Sequence, residues 1–177
     1  AMADPKEIII PKMKHDGELA IAVGRSRFET AWKNKQITWS QLVKRLSQTK
    51  RTSETYAEYQ RSTKSQRDLT KDVGGFVGGS IKQGRRKAEN VANRTLLTLD
   101  MDEVTGSAEG VWGLLTMLHG FAVVMYSTHS HTPESPRLRL VIPLARPVMG
   151  DEYQAIARAL ANDLGIDQFD DTTYEPH

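Results

Sequence analysis

Residues 95–104 read TLLTLDMDEV, an apolar run that ends by placing Asp100 and Asp102 two residues apart. In an extended chain alternate side chains share a face, so the two carboxylates point the same way, about 6–7 Å apart along the strand. Like charges held that close repel and raise a pKa unless a cation sits between them. A hydrophobic strand built from Leu96, Leu97 and Leu99 that delivers such a pair is a candidate site for Mg²⁺ or Mn²⁺, hard ions that take oxygen ligands. Taken alone, D-x-D is more often an acidic strand end turning into solvent than a metal site. The flanking chain has to decide.

Downstream the pattern is regular. A helix is expected over 107–119, with Val111, Leu114, Leu115 and Leu118 on one face and Gly120 closing it. A strand over 121–130, a polar turn at 132–136 and a strand over 137–144 follow. A helix over 150–164 carries Tyr153, Ile156, Ala157, Leu160 and Leu164 on one face and stops at Gly165. The order β-α-β-β-α is the split βαβ plan of an α+β fold, lacking one strand. That strand is expected to begin near FDDTTYEPH (169–177) or beyond His177.

Upstream the order is looser. Residues 1–18, polar around EIIIP, read as a loose arm or an edge strand, and 18–27 as a short strand leading to a turn. Thr38 and Gln41 form a capping box ahead of Trp39, Leu42, Val43 and Leu46, which predicts a helix. The polar stretch 50–72 reads as one short helix and a surface connection. KDVGGFVGGS (71–80) pairs glycines twice, as positive φ or close backbone approach requires; a hairpin with glycine turns accounts for it too. No Lys follows Gly79, which excludes a Walker loop.

The chain of 177 residues suits one domain or two small lobes. It contains no Cys, so disulfides, thiolate metal sites and a Cys-rich zinc stem are excluded, in keeping with a reducing cytoplasm. No membrane-length apolar run or signal-peptide pattern is present. The net charge of +2 conceals a split. Residues 1–94 hold 20 Lys and Arg against 10 Asp and Glu, whereas residues 95–177 hold 4 against 12. The expected organisation is a basic N-terminal lobe, 1–94, beside an acidic lobe, 95–177, with a polyanion on the first and a metal on the second. Lys82, Arg85, Arg86 and Lys87 are the candidate phosphate contacts, though such a run is also ordinary solvated surface.

If strand 121–131 is continuous, Ser127, His129 and His131 share one face. In the next strand Arg137 and Arg139 share one, while Leu138, Leu140 and Ile142 face the other way. Imidazoles, guanidiniums and carboxylates on one sheet surface describe an open platform for an anion that also needs a metal. A nucleoside triphosphate fits, since carboxylates hold the ions and arginine forks the phosphate oxygens. Asp170 or Asp171 offers a third carboxylate.

LDMD, STH and FD, in that order, resemble the three motifs of the archaeo-eukaryotic primase superfamily: acid-x-acid, Ser-x-His and apolar-Asp. KDVGGFVGG, GRRKAENV, YSTHSH, PRLRLVIPLARPV and FDDTTYEPH look like phage or plasmid primase-polymerase domains of the type fused to virulence-associated E helicases. The resemblance covers roughly residues 20–177. It implies an N-terminal α/β lobe packed on an RRM-like lobe with the cleft between them. It further implies Asp100, Asp102 and Asp170 as catalytic metal ligands for Mg²⁺ or Mn²⁺, Asp170 being taken because it follows Phe169. Ser127, His129 and Arg139, with Arg137 beside them, would hold the incoming nucleotide, and the partner would be a single-stranded DNA template.

Two other readings remain. His129-Ser130-His131 superficially matches the His-apolar-His of HUH-type nicking nucleases, with Tyr153 as nucleophile. There Ser130 departs from the motif, and D-x-D has no task. A non-catalytic RRM-like nucleic-acid-binding module is the other; such modules stack bases on exposed sheet aromatics, and only Tyr126 is near.

Overall fold

The computed structural model describes residue 10 and residues 12–177. Of the expected arm at 1–18, residues 1–9 and residue 11 lie outside the described residues. The fold is α+β, built on two three-stranded antiparallel sheets.

The first sheet has the order β2-β1-β3, with β1 at Glu18–Gly24, β2 at Lys33–Thr38 and β3 at Gly75–Val77. β2 was not visible in the sequence, because KNKQIT carries no apolar alternation and is largely exposed. The capping box forms as expected: Thr38 and Gln41 satisfy each other's backbone N–H groups at the start of α1, Trp39–Leu46. The polar connection folds into two short helices rather than one, α2 at Tyr56–Arg61 and α3 at Lys64–Thr70. Each opens on its own capping box, Thr55 with Glu58 and Thr63 with Gln66.

The second sheet has the order β4-β6-β5, with β4 at Arg94–Met101, β5 at Val124–Ser127 and β6 at Leu138–Val148. Helix α4, Ala108–Leu118, joins β4 to β5, and α5, Gly150–Leu164, follows β6. A strand that crosses through a helix to a position one strand away, with the gap filled by the next strand, is the split βαβ arrangement. Leu97, Leu99, Met101, Leu138, Leu140 and Ile142 turn to one face and pack against Val111, Leu115, Tyr153, Ala157 and Leu160 of the two helices. On the opposite face Leu96 and Val141 join Leu19, Ile21, Trp39 and Leu42 in a second core. The two halves of the chain thus share buried apolar surface, the dominant favourable term in folding.

Two expectations need correction. The strand expected over 121–130 is only Val124–Ser127. Thr128 still donates its N–H to Arg137 O, but a turn follows in which His131 N–H returns to Thr128 O. The segment FDDTTYEPH does not start a strand; Asp171–Tyr174 is a 3₁₀ turn capped by the Asp170 side chain on Thr172 N–H. It lies along the outer edge of β4, where Asp170 N–H donates to Asp100 O at 3.1 Å and Asp100 N–H donates to Thr173 Oγ1 at 2.7 Å.

The glycine pairs serve close approach. Gly78 O accepts from Thr95 N–H and Leu96 N–H at 2.7 and 3.1 Å, fastening the first sheet to β4. A Cβ on Gly79 would lie 1.8 Å from Asn93 O, so no other residue fits there without moving the backbone. Gly74 supplies the positive φ of 89°.

Candidate nucleotide cleft

Asp100 and Arg139 are direct cross-strand partners, and Tyr126 occupies the same row on β5. The face that buries Leu96 and Val141 at one end therefore carries acid, guanidinium and phenol at the other. Arg139 donates from Nε to Asp100 Oδ1 at 2.5 Å and from Nη2 to Asp100 Oδ2 at 2.9 Å, a two-pronged pair. Burial disfavours the guanidinium charge, but the bonds to Asp100 and the neighbouring Tyr126 outweigh it and hold Arg139 above its ordinary pKa. One row outward the pattern repeats, with Arg137 Nη1 3.6 Å from Asp102 Oδ1. Burial raises the Asp102 carboxyl above its usual value; Arg137 opposes this, and the charges of Asp100 and Asp170 add to it.

The third acid is placed by the 3₁₀ turn. Asp170 follows the backbone bond to Asp100, and its Oδ1 accepts from Thr172 N–H and Oγ1 at 2.9 Å each. Burial raises the Tyr174 hydroxyl above its ordinary pKa; Arg158 opposes this, and the charge of Asp171 adds to it. Asp170 is the one that bears on Asp102.

A polar cavity of about 300 Å³ opens between the sheets above this row. Phe76 and Arg86 line it from the N-terminal half, and Arg94, Asp100, Arg139 and Thr173 from the second sheet and its edge. Glu175 and His177 close its rim. Arg94 was not singled out by sequence reasoning, since it reads as one more basic residue before a strand. It is 1% exposed, and donates to Leu96 O, Thr98 Oγ1, Pro176 O and the Tyr153 hydroxyl. No carboxylate pairs with it among the described residues, and burial lowers its pKa.

Other expected residues lie apart. Ser127 is exposed at the end of β5. The turn at 128–131 carries His129 away from the sheet. Its Nε2 sits 3.2 Å from Glu54 and 3.3 Å from Thr52 Oγ1, with its ring 4.5 Å from that of Tyr59. His131 Nδ1 accepts from Arg137 N–H. No hydrogen bond or ion pair links Ser127 or His129 to Asp100 or Asp102 among the described residues. Lys82, Arg85 and Lys87 lie outside the cavity, and Arg86 alone of that run reaches it.

The donor set of Asp100, Asp102 and Asp170 is chemically suited to a hard divalent ion. In this arrangement both Asp100 oxygens are engaged by Arg139, and among the described residues no three His, Cys, Asp or Glu side chains converge on a common point. An ion would take the place of the guanidinium at Asp100. As for Tyr153, it is fully buried, and its hydroxyl donates to Thr98 O at 3.2 Å while accepting from Arg94 and Thr98 N–H. A nucleophile must meet its substrate, and this one cannot. Among the described residues no helix is long and apolar enough to cross a membrane.

Neither the curated proteins nor the solved structures give a match. The model of the VapE N-terminal domain matches residues 4–177, nearly the whole chain, and the chain belongs to that family.

Proposed function

We propose that this domain is a DNA primase-polymerase of the archaeo-eukaryotic primase type, acting beside a helicase in the replication of a phage or plasmid. The observation that carries the reading is the row of Asp100 and Arg139 in the cleft, with Asp102 and Arg137 in the next row and Asp170 laid against Asp100. Asp100 and Arg139 line a polar cavity of about 300 Å³, with Asp102, Arg137 and Asp170 outside its lining, and an acid beside a guanidinium suits the triphosphate end of a nucleotide.

In this reading the 3′-hydroxyl of a primer attacks the α-phosphate, the new P–O bond replaces the bond to the β-phosphate oxygen, and pyrophosphate leaves. Asp100, Asp102 and Asp170 would hold Mg²⁺ or Mn²⁺, which supplies charge neutralisation at the attacking and leaving oxygens. Arg139 releases Asp100 and forks phosphate oxygens; Arg86 adds positive charge across the cleft, and the buried Arg94 adds it from β4. Ser127 and His129 serve the nucleotide only by leaving their present surroundings, so the arginines carry more of its binding than the motifs suggest.

The test is incorporation of labelled nucleotide on a single-stranded template with Mg²⁺ or Mn²⁺, read as new chains on a denaturing gel. The wild-type domain should make them and Asp100→Asn should not. A second reading has an observation of its own: each acid of the D-x-D pair already has an arginine. On that view the pairs only stiffen a nucleic-acid-binding platform, and the wild-type protein binds single strands without making product.

A further inference from the structure

A second groove lies beside the cleft and shares Arg86 with it, and the nucleotidyl-transfer reading gives its aromatic wall no task. It measures about 260 Å³ and runs between the β1–β2 loop and residues 85–87. Arg27, Phe28, Glu29 and Thr30 form one wall, the Glu29 carboxylate accepting from Arg25 N–H, and Arg85, Arg86 and Lys87 form the other.

Phe28 is 65% exposed. A large aromatic left in water on a loose loop would be unremarkable, but this loop is fastened. The Asp72 carboxylate accepts from Ser26 Oγ at 2.8 Å and from Arg27 N–H at 3.0 Å. Ser26 Oγ accepts from Phe28 N–H at 3.1 Å, and Ser26 O from Glu29 N–H at 3.1 Å. The Arg27 guanidinium lies 4.7 Å from the centre of the Phe28 ring. The second wall is tied to the first: Trp32 N–H donates to Gly84 O at 2.7 Å, and a Cβ on Gly84 would fall 2.4 Å from Thr30 O. Phe28 is thus a ring held at a set position between cations, with a face that no protein group fully covers.

Lys87 lies 3.6 Å from Glu89 and Arg27 3.7 Å from Asp68, both cations at exposed positions. The two arginines of the second wall carry no such pair: among the described residues no carboxylate lies within ion-pair distance of Arg85 or Arg86. Arg86 lines both this groove and the Asp100 cleft, so a run of phosphates leaving one can enter the other. Cations around an exposed aromatic are the makings of a single-strand site, where each base offers a π-face and the backbone is tracked by Lys and Arg.

We propose that this groove seats one nucleotide of a single-stranded nucleic acid, with Phe28 stacking on its base. Arg85 and Lys87 hold its phosphates, and Arg86 hands the backbone on to the Asp100 cleft. The groove's place as the template's path rests on the nucleotidyl-transfer reading; the stacking does not.

The experiment is fluorescence anisotropy of the whole chain with three labelled probes of one length: oligo-dT, an abasic strand and a duplex. Phe28→Ala should weaken oligo-dT binding by roughly 5- to 100-fold while leaving the salt slope unchanged. Phe28→Tyr should restore it. The abasic strand, which has phosphates but no bases, should bind wild type and Phe28→Ala alike. Unfolding midpoints of the variants, measured alongside, should match wild type because the ring is exposed. Equal oligo-dT affinity for wild type and Phe28→Ala, equal loss on the abasic strand, or a duplex bound as tightly as oligo-dT would overturn the proposal. A Phe28 effect without nucleotide incorporation rejects the polymerase reading and keeps the stacking site; incorporation without a Phe28 effect does the reverse.

Discussion

Asp100 and Arg139 sit opposite each other on neighbouring antiparallel strands, and one guanidinium engages both carboxylate oxygens. Substitutions at Asp100 therefore test two things at once. Asp100→Asn retains an acceptor for Arg139 and should unfold close to wild type, while nucleotide incorporation falls below detection. Asp100→Ala strands a half-buried guanidinium and should cost an additional ~1–2 kcal/mol of stability, read from urea unfolding. Near-normal synthesis by Asp100→Asn ends the case for a catalytic carboxylate.

Tyr153 supplies a second test. Its hydroxyl serves Thr98 and Arg94 within the core, so Tyr153→Phe should lower stability by ~1–2 kcal/mol. Incorporation should survive, and no covalent protein–DNA adduct should form in either protein. An adduct in wild type that vanishes in Tyr153→Phe would restore the nicking-nuclease reading.

Gly79 tests the joint between the sheets. A methyl group there meets Asn93 O at 1.8 Å, and that oxygen belongs to the backbone leading into β4. Gly79→Ala should lose ~1–3 kcal/mol or more, whereas Gly113→Ala, on a helix face with nothing within 4 Å, should be neutral or mildly stabilising. Equal unfolding midpoints for the two variants would show that the joint yields.

The basic residues divide. Lys82→Ala and Arg85→Ala should weaken binding to a single-stranded template and flatten its salt dependence by about 0.7 per lost contact. Arg139→Ala should raise the nucleotide KM or lower kcat with template affinity little changed. Arg86→Ala, whose side chain lines both hollows, should affect both measurements. If Arg85→Ala alters only nucleotide use, the two surfaces are not separate.

Helix α5 and the capping box at Thr38 were legible because they are local: period, cap and stop lie within a few residues of one another. The D-x-D face was legible for the same reason, since alternation along a strand is a property of the strand. The placement of His129 was not. It depended on β5 continuing past Ser127, and a turn closed by His131 N–H on Thr128 O ended it. β2 escaped notice because an edge strand with one wet face and two lysines needs no apolar pattern. Arg94 shows the limit most clearly. Its burial follows from carbonyls at Leu96 and Pro176, one of them 82 residues away in sequence, and no local signal announces such a meeting.

The 3₁₀ turn at 171–174 has a bearing on assembly as well as on the site. A sheet edge is an invitation to another strand, and the outer side of β4 would otherwise present its unpaired groups beside the acids. Here Asp100 N–H is spent on Thr173, Asp100 O on Asp170, and Thr95 and Leu96 N–H on Gly78. That margin is closed to β-augmentation and to domain swapping. On the opposite margin of the first sheet, β2 puts Lys33 and Lys35 where an intruding strand would have to lie. A chain that pairs edge to edge with this domain is left with the four residues of β5 and the three of β3.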